Sequence, residues 1–204
     1  SRWNLRAEAG ANGRIYAIGG TDNFTITNLD RNEEYDPVTN SWATRLARPV
    51  PTRYHASAML DGKIYTFGGY EGASNHNYVY SPADNTWALK AVMPTARGAM
   101  GAGAVGPKIY VIGGGPAINE EYDTLTDTWS ARADMINARG NFGMAAFRGR
   151  LYAIGSGSGA ADWNEEYDPG TAQYFAGLLP NTEYTFRARA RNQRGVETGE
   201  TTVV

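Results

Sequence analysis

Paired carboxylates are the first candidates for chemistry in this chain. Glu33-Glu34, Glu120-Glu121 and Glu165-Glu166 each stand directly before a tyrosine, and two carboxylates can act as general acid and general base. On extended backbone, neighbouring side chains point to opposite faces, so one such pair cannot converge on a single substrate atom. Three arginines recur beside them. Arg53, Arg97 and Arg139 precede the basic residues Lys63, Lys108 and Arg150 by ten or eleven positions. They read either as ion-pair partners of the strand glutamates or as a ring of guanidiniums around an axis that would bind an anion. The two histidines, His55 and His76, have no paired ligand spacing, and there is no cysteine, which excludes disulfides and thiolate chemistry. No metal or other cofactor is expected, and no catalytic residue is assigned. The glycine tracts at Gly113-Gly114-Gly115 and from Gly155 to Gly159 lack the Gly-Lys-Ser/Thr ending of a phosphate cradle, so they read as strand ends and loops.

Composition narrows the partners. A net charge of −2 gives no basic field for nucleic acid and no polybasic patch for a membrane surface. No stretch reaches the roughly 18 apolar residues of a membrane-spanning helix. The 25 glycines and the 12% aromatic content favour short strands and tight turns.

The carboxylates and arginines are positioned by a four-fold internal repeat. A tract of the form Gly-Arg/Lys-Ile-Tyr-x-x-Gly-Gly runs through Gly13–Gly20, Gly62–Gly69 and, with proline first, Pro107–Gly114; a looser copy spans Gly149–Ser156. Each is followed by a tyrosine (Tyr35, Tyr80, Tyr122, Tyr167), and these step by 45, 42 and 45 residues. In three copies a tryptophan (Trp42, Trp87, Trp129) stands seven residues later, and Tyr174 takes that place in the fourth. A period of about 40 to 50 residues marks propellers, solenoids or arrays. Within the second copy, His55–Leu60 and Lys63–Phe67 flank Asp61-Gly62, a two-residue hairpin signal. Asn77–Tyr80 and Thr86–Leu89 complete a four-stranded antiparallel sheet, which is a propeller blade.

The doublet, the tyrosine and the tryptophan together resemble the kelch repeat over roughly residues 5–175. The resemblance implies an all-β propeller of four kelch-like, four-stranded blades. It also implies an inner strand at the axis, a tryptophan-bearing strand outermost, and protein interaction through the loops between strands. Some kelch-type propellers resemble galactose oxidase, but without cysteine its Tyr–Cys crosslink cannot form. A second reading takes a carbohydrate-binding or carbohydrate-modifying propeller, similar to kelch-type sialic acid epimerases, which needs an acid, a base and an arginine at the axis. Loops after the second strand of each blade should cluster on one face. The candidate ligand-contacting residues are Phe24, Arg53, His55, Tyr70, His76, Arg97, Arg139 and Trp163, with Trp163 either an anchor for a ligand or a lid over its loop.

The ends depart from the repeat. Trp3 is expected inside a shortened inner strand spanning Trp3–Ala11. Residues from Leu178 to Gly195 resemble the second half of a fibronectin type III domain, with Tyr184 as its corner tyrosine. This divides the chain into a propeller at 1–177 and a fibronectin-like hairpin at 178–204. Tyr184, Phe186, Ala188 and Ala190 would share one face of that hairpin. It could close the propeller as a partial extra blade, join a homodimer, or lack fixed order. The combination suggests a fragment, a recombinant or a chimera, and a bacterial extracellular or cell-surface parent, with a protein or a glycan as ligand. The leading expectation is a binding or scaffold module without catalysis, or a recombined protein with no evolved ligand.

Overall fold

The computed structural model describes residues 2–22, 27–70, 75–155 and 163–170, together with backbone strands at 175–178, 186–188 and 201–203. The strands, in chain order, are β1 (Arg2–Trp3), β2 (Arg6–Ala9), β3 (Ile15–Ile18), β4 (Thr21–Asp22), β5 (Asn32–Asp36), β6 (Ser41–Arg45), β7 (Ala56–Leu60), β8 (Lys63–Phe67), β9 (Asn77–Ser81), β10 (Thr86–Leu89), β11 (Gly101–Val105), β12 (Lys108–Ile112), β13 (Asn119–Asp123), β14 (Thr128–Arg132), β15 (Gly143–Phe147), β16 (Arg150–Ile154), β17 (Asn164–Tyr167), β18 (Phe175–Leu178), β19 (Phe186–Ala188) and β20 (Thr201–Val203). Four antiparallel sheets form four blades in a propeller arrangement: β2-β3-β5-β6, β7 to β10, β11 to β14 and β15 to β18. The expected all-β fold is therefore the observed one. No helix among the described residues is long and apolar enough to cross a membrane.

The hairpins follow from local chemistry. Asp61 and Gly62 both have positive φ, at 49° and 73°, as a two-residue hairpin turn of the favoured hand demands. At the outer turns the Asp36 carboxylate accepts from the Val38 amide at 2.8 Å, and Asp123 from Leu125 at 2.9 Å. Asn40, Asn85 and Asp127 then take left-handed backbone, a conformation that Asn and Asp tolerate best among side-chain-bearing residues. The inner strands carry small residues, such as Ala56, Ala58, Gly101 and Gly103, where blades converge.

Each blade has two apolar faces, set by the two-residue alternation of its strands. Tyr16 and Ile18, on the downstream face of the first blade, pack on Ile64 and Tyr80 of the second. Tyr65 and Phe67 of the second pack on Ile109, Val111 and Tyr122 of the third. Tyr110 and Ile112 of the third pack on Leu151, Ala153 and Tyr167 of the fourth. The same repeat positions meet at all three seams.

The glycine doublets fasten these seams near the axis. The first glycine amide closes its own loop: Gly19 donates to Arg31, Gly68 to His76, Gly113 to Ile118 and Gly155 to Trp163. The second amide crosses to the next blade: Gly20 donates to the carbonyl of Thr52, Gly69 to that of Arg97 and Gly114 to that of Arg139. Gly114 has φ of 101°, and a Cβ there would stand 2.7 Å from the Gly98 carbonyl oxygen. A second backbone ladder runs beside it, from Tyr54 to Asn4, Ala99 to Tyr54 and Asn141 to Ala99. At the outer edge, the Trp87 indole donates to Leu46 O at 2.9 Å and Asn85 accepts from the Leu46 amide. Trp129 and Asp127 grip the Ala91 peptide in the same way.

The glutamate doublets divide their work between the two faces of the strand, as alternation requires. Glu120 pairs with Arg97, and Glu165 with Arg139, all four side chains fully buried. Arg97 also donates to the carbonyls of Gly113 and Val111 at 2.9 Å, and Arg139 to that of Ala153 at 2.9 Å. On the other face, Glu34 holds Arg45 at 2.7 Å and accepts from Tyr16 Oη at 2.6 Å. Glu121 holds Arg132 through two hydrogen bonds of 2.8 and 2.9 Å, and Lys108 as well.

Two expectations from spacing change. Thr52, and not Arg53, occupies the place of Arg97 and Arg139: its carbonyl takes the doublet amide and its hydroxyl donates to Gly68 O at 3.3 Å. The repeat distance to the basic residue is eleven, and Arg53 falls one position late. Arg48 fills the blade from a different point in the chain, donating to Thr66 Oγ1 at 3.2 Å and lying over the Tyr78 ring at 5.0 Å. In the first blade the pin is Arg2, which donates to the carbonyls of Gly19 and Ala17 at 2.8 Å and pairs with Glu33. Finally, Trp3 lies outside the inner strand. With Arg2 it pairs as β1 with β4, and Asn4, at φ of 54°, turns the chain before β2 begins.

Two measurements follow. Arg97→Met should lower stability by about 3–5 kcal/mol, because it leaves Glu120 buried without its cation, and should reduce the melting temperature by roughly 10 °C. An unchanged melting temperature would remove the pin from the account. Burial alone would raise the Glu121 carboxyl, but hydrogen bonds from Arg132, Lys108 and Tyr110 outweigh it and pull the pKa from 4.5 to about 2. A depressed folded-state pKa gives stability that is complete above the unfolded value and is lost as pH falls through the folded one. Thermal melts should therefore decline between pH 4.5 and 2, and Glu121→Gln should be less stable at neutral pH with a shallower decline over that range.

Candidate functional site

Two places could receive a ligand, the axial cavity and the face on which the doublets and their loops emerge. The cavity has a volume of about 440 Å³ and is lined by inner-strand residues of all four blades, among them Arg6, Glu8, Ser57, Gly103 and Met144. Its charged groups come from the first blade. Arg6 and Glu8 stand where the other inner strands carry Ala or Gly. Arg6 is held by the carbonyls of His55 and Met100 at 2.8 and 3.1 Å. Glu8 accepts from Ser57 Oγ at 2.5 Å. Burial raises the Glu8 carboxyl above the usual range, with the Ser57 hydrogen bond and the Arg6 charge opposing. Comparing inner strands position by position exposes Glu8 as the odd residue; a search for conspicuous motifs passes over it.

A smaller pocket of about 200 Å³ opens at the mouth of the axis beside Asn4, Tyr54 and Asn141. These residues, with Ala99, belong to the backbone ladder and all have φ between 53° and 61°. Left-handed backbone is uncommon outside glycine, most of all at a bulky tyrosine. The ladder hydrogen bonds hold it there.

The loop-face candidates separate into two groups. His55, Arg97 and Arg139 are buried. His55 is fully buried and its ring nitrogens have no hydrogen-bond partner. Burial, followed by the guanidiniums of Arg48, Arg6 and Arg2, holds its pKa well below the usual imidazole range, so it is neutral and offers no proton at neutral pH. Arg97 and Arg139 face into their blades. The second group lies at the surface or just under it. Arg53 is half-buried and its carbonyl accepts from the Tyr70 amide at 3.0 Å. His76 packs on Tyr78, with ring centroids 5.5 Å apart, and burial lowers its pKa, as does Arg48. Trp163 is half-buried, with the Arg139 guanidinium 5.7 Å from its ring centroid. Phe24 lies outside the described residues.

Tyr70 is the exposed member, at 49%, and its position is fixed. Its amide is bound by Arg53 O, its carbonyl accepts from Asn28 Nδ2 at 2.6 Å, and its ring meets Tyr54 edge-on at 5.3 Å. Gly98 lies directly beneath: a Cβ there would stand 3.1 Å from the Tyr70 ring. Tyr54 is the residue that spacing alone passed over, because its significance rests on backbone conformation. Among the described residues no group of three or more His, Asp or Glu is arranged to hold a metal ion.

Comparison with known proteins agrees with this architecture. The kelch motif model matches residues 9–44 and 51–94. Kelch-like protein 33 of Homo sapiens is 39% identical over 64 residues, covering 31% of this chain and 12% of the relative. Kelch-like ECH-associated protein 1B of Danio rerio is 35% identical over 69 residues, covering 33% and 12%. Human kelch-like protein 7 is 35% identical over 65 residues, covering 32% and 11%. The aligned segment thus spans about an eighth or less of each relative. The chain carries kelch motifs on a propeller of four blades.

Proposed function

We propose that this propeller is a non-catalytic interaction module that binds a segment of a partner protein on its loop face, with Tyr70 as the anchor. The observation that carries this reading is the fixed, half-exposed Tyr70 ring, set between Tyr54 and Gly98 on the loop face. A rigid aromatic loses little side-chain entropy on binding, and such residues dominate protein interfaces. Loops on a rigid scaffold are where recognition is concentrated. Likeness to kelch-like proteins supports the same class. The carbohydrate-modifying alternative draws support from Glu8 and Arg6 at the axis. It lacks a base facing Glu8 among the described cavity-lining residues, and Arg6 is already bonded to two carbonyls.

Selection of the full chain against a random peptide library tests the proposal. Peptide binders should lose at least about tenfold in affinity, roughly 1.4 kcal/mol, with Tyr70→Ala, and should be indifferent to Val38→Ala at an exposed outer turn. Binders indifferent to Tyr70→Ala would place recognition elsewhere. Binding to a glycan array that is lost in Trp163→Ala, with no peptide binders, would overturn the protein-interaction reading in favour of the carbohydrate one.

A further inference from the structure

The described arc of blades ends in two uncovered apolar faces. On the upstream face of the first blade, Ile15 is 38% exposed and Trp42 59%, whereas the matching Ile64, Ile109 and Leu151 are at 0%. Tyr35 is half-buried where Tyr80 and Tyr122 are fully covered. On the downstream face of the fourth blade, Ile154 is 51% exposed, against 1% or less for Ile18, Phe67 and Ile112. Phe147, on the same face, is also exposed.

The polar fasteners stop at the same places. Trp87 and Trp129 each donate to a peptide of the preceding blade; among the described residues, the Trp42 indole has no such peptide. Asn85 and Asp127 accept both a tyrosine hydroxyl and a backbone amide, and among the described residues Asn40 accepts Tyr35 Oη alone. The axial ladder runs from Asn4 to Asn141, and among the described residues the Asn4 amide does not donate to Asn141 O to close it.

We infer that the downstream face of the fourth blade binds the upstream face of the first blade of a second copy of this chain. The interface is the one already formed three times within the chain, continued across two molecules, so complementarity follows from repeat equivalence. Ile154 of one copy takes the role of Ile18, and Ile15 of the other that of Ile64. A heterologous contact of this kind closes into a ring when the rotations permit, and two copies would satisfy both faces at once. Contiguous exposed apolar faces are characteristic of association sites.

The absence of cysteine allows a direct test on the full chain. Ile15→Cys and Ile154→Cys variants, mixed and oxidised, should give a cross-linked dimer that neither yields alone, and light scattering should give at least twice the 22.1 kDa chain mass. Trp42→Arg should weaken self-association by at least about 30-fold, the weight of a buried aromatic anchor, while leaving the circular dichroism spectrum unchanged because Trp42 is exposed within one chain. A larger head-to-tail series carrying the same cross-link also supports the seam. The proposal is overturned by a single-chain mass at concentrations up to about 100 µM. It is equally overturned if the double variant forms its disulfide within one chain, which would mean that the four blades close on themselves.

Discussion

The arrangement of blades depends on a backbone contact that only glycine admits. The second glycine of each doublet points its amide at a carbonyl of the next blade, across a gap with no room for a side chain. A Cβ at Gly20 would meet Trp3 O at 2.8 Å, and at Gly114 it would meet Met100 Cγ at 2.6 Å. Positive φ is needed as well, so any substitution carries both a steric and a conformational cost. From this contact the rest of the seam follows. With the inner edges fixed, small residues on the inner strands let the blades approach, the tyrosines fill the middle, and the tryptophans clasp the outer peptide. The contacted carbonyl belongs to Arg97 or Arg139, so the amide stitch and the guanidinium pin share a residue. The pin carries the stitch into the interior of its own blade.

The glutamate doublets show how one short motif can serve two sites. Because strand neighbours point apart, the first glutamate meets the arginine pin and the second meets an arginine on the other face: Arg45 and Arg132 of the outermost strand in the first and third blades, and Arg150 of the second strand in the fourth. Neither pair is obviously a source of large net stability, since desolvating two charges cancels much of their attraction. The value lies in specificity. A slip of one residue would exchange the two carboxylates, leave each opposite the wrong partner, and break both sets of hydrogen bonds. The second blade lacks the doublet, and Tyr78 and Val79 take its place. There Arg48 stacks on the Tyr78 ring and bonds to Thr66, and Thr52 supplies the carbonyl for the stitch. The blade keeps its register through an aromatic contact and a hydroxyl.

Much of this was legible in the sequence, for a physical reason. Gly-Gly, Asp-Gly and the seven-residue step from tyrosine to tryptophan are consequences of local backbone geometry, and local geometry leaves a local signature. The strands, their order and the opposed glutamates followed directly. Arg53 was misplaced because spacing counts residues while the pin is defined by the carbonyl that meets Gly69 or its equivalents, and a one-residue difference is invisible without that contact. Arg2 and Arg48 reach equivalent positions from unequal distances along the chain, which no periodicity reports. Tyr54 stands out only through its φ, and Glu8 only against Ala58, Gly103 and Ala145 on neighbouring inner strands. The pairing of Trp3 with Thr21 likewise depends on the turn at Asn4.

The proposed binding face and the architecture are separated in this molecule by the direction in which side chains leave the blade. At the three seams within the chain, residues that repeat are covered by the neighbouring blade, and their chemistry is satisfied there: the arginines by glutamates and carbonyls, the tyrosines by Asn or Asp, the indoles by peptides. Residues that do not repeat sit in loops whose ends are pinned a few residues away by the doublet amides. A loop anchored so close to both ends can vary in sequence without loosening the blade, since its closing hydrogen bond uses backbone groups alone. Tyr70 illustrates the consequence. Its amide and carbonyl are fixed by Arg53 and Asn28, its ring rests on Gly98, and nothing in the repeat requires it to be aromatic. An exposed ring held this firmly suits the proposed recognition role, since the hydrogen bonds that fix it use the backbone of Tyr70 and leave its ring outside the repeat.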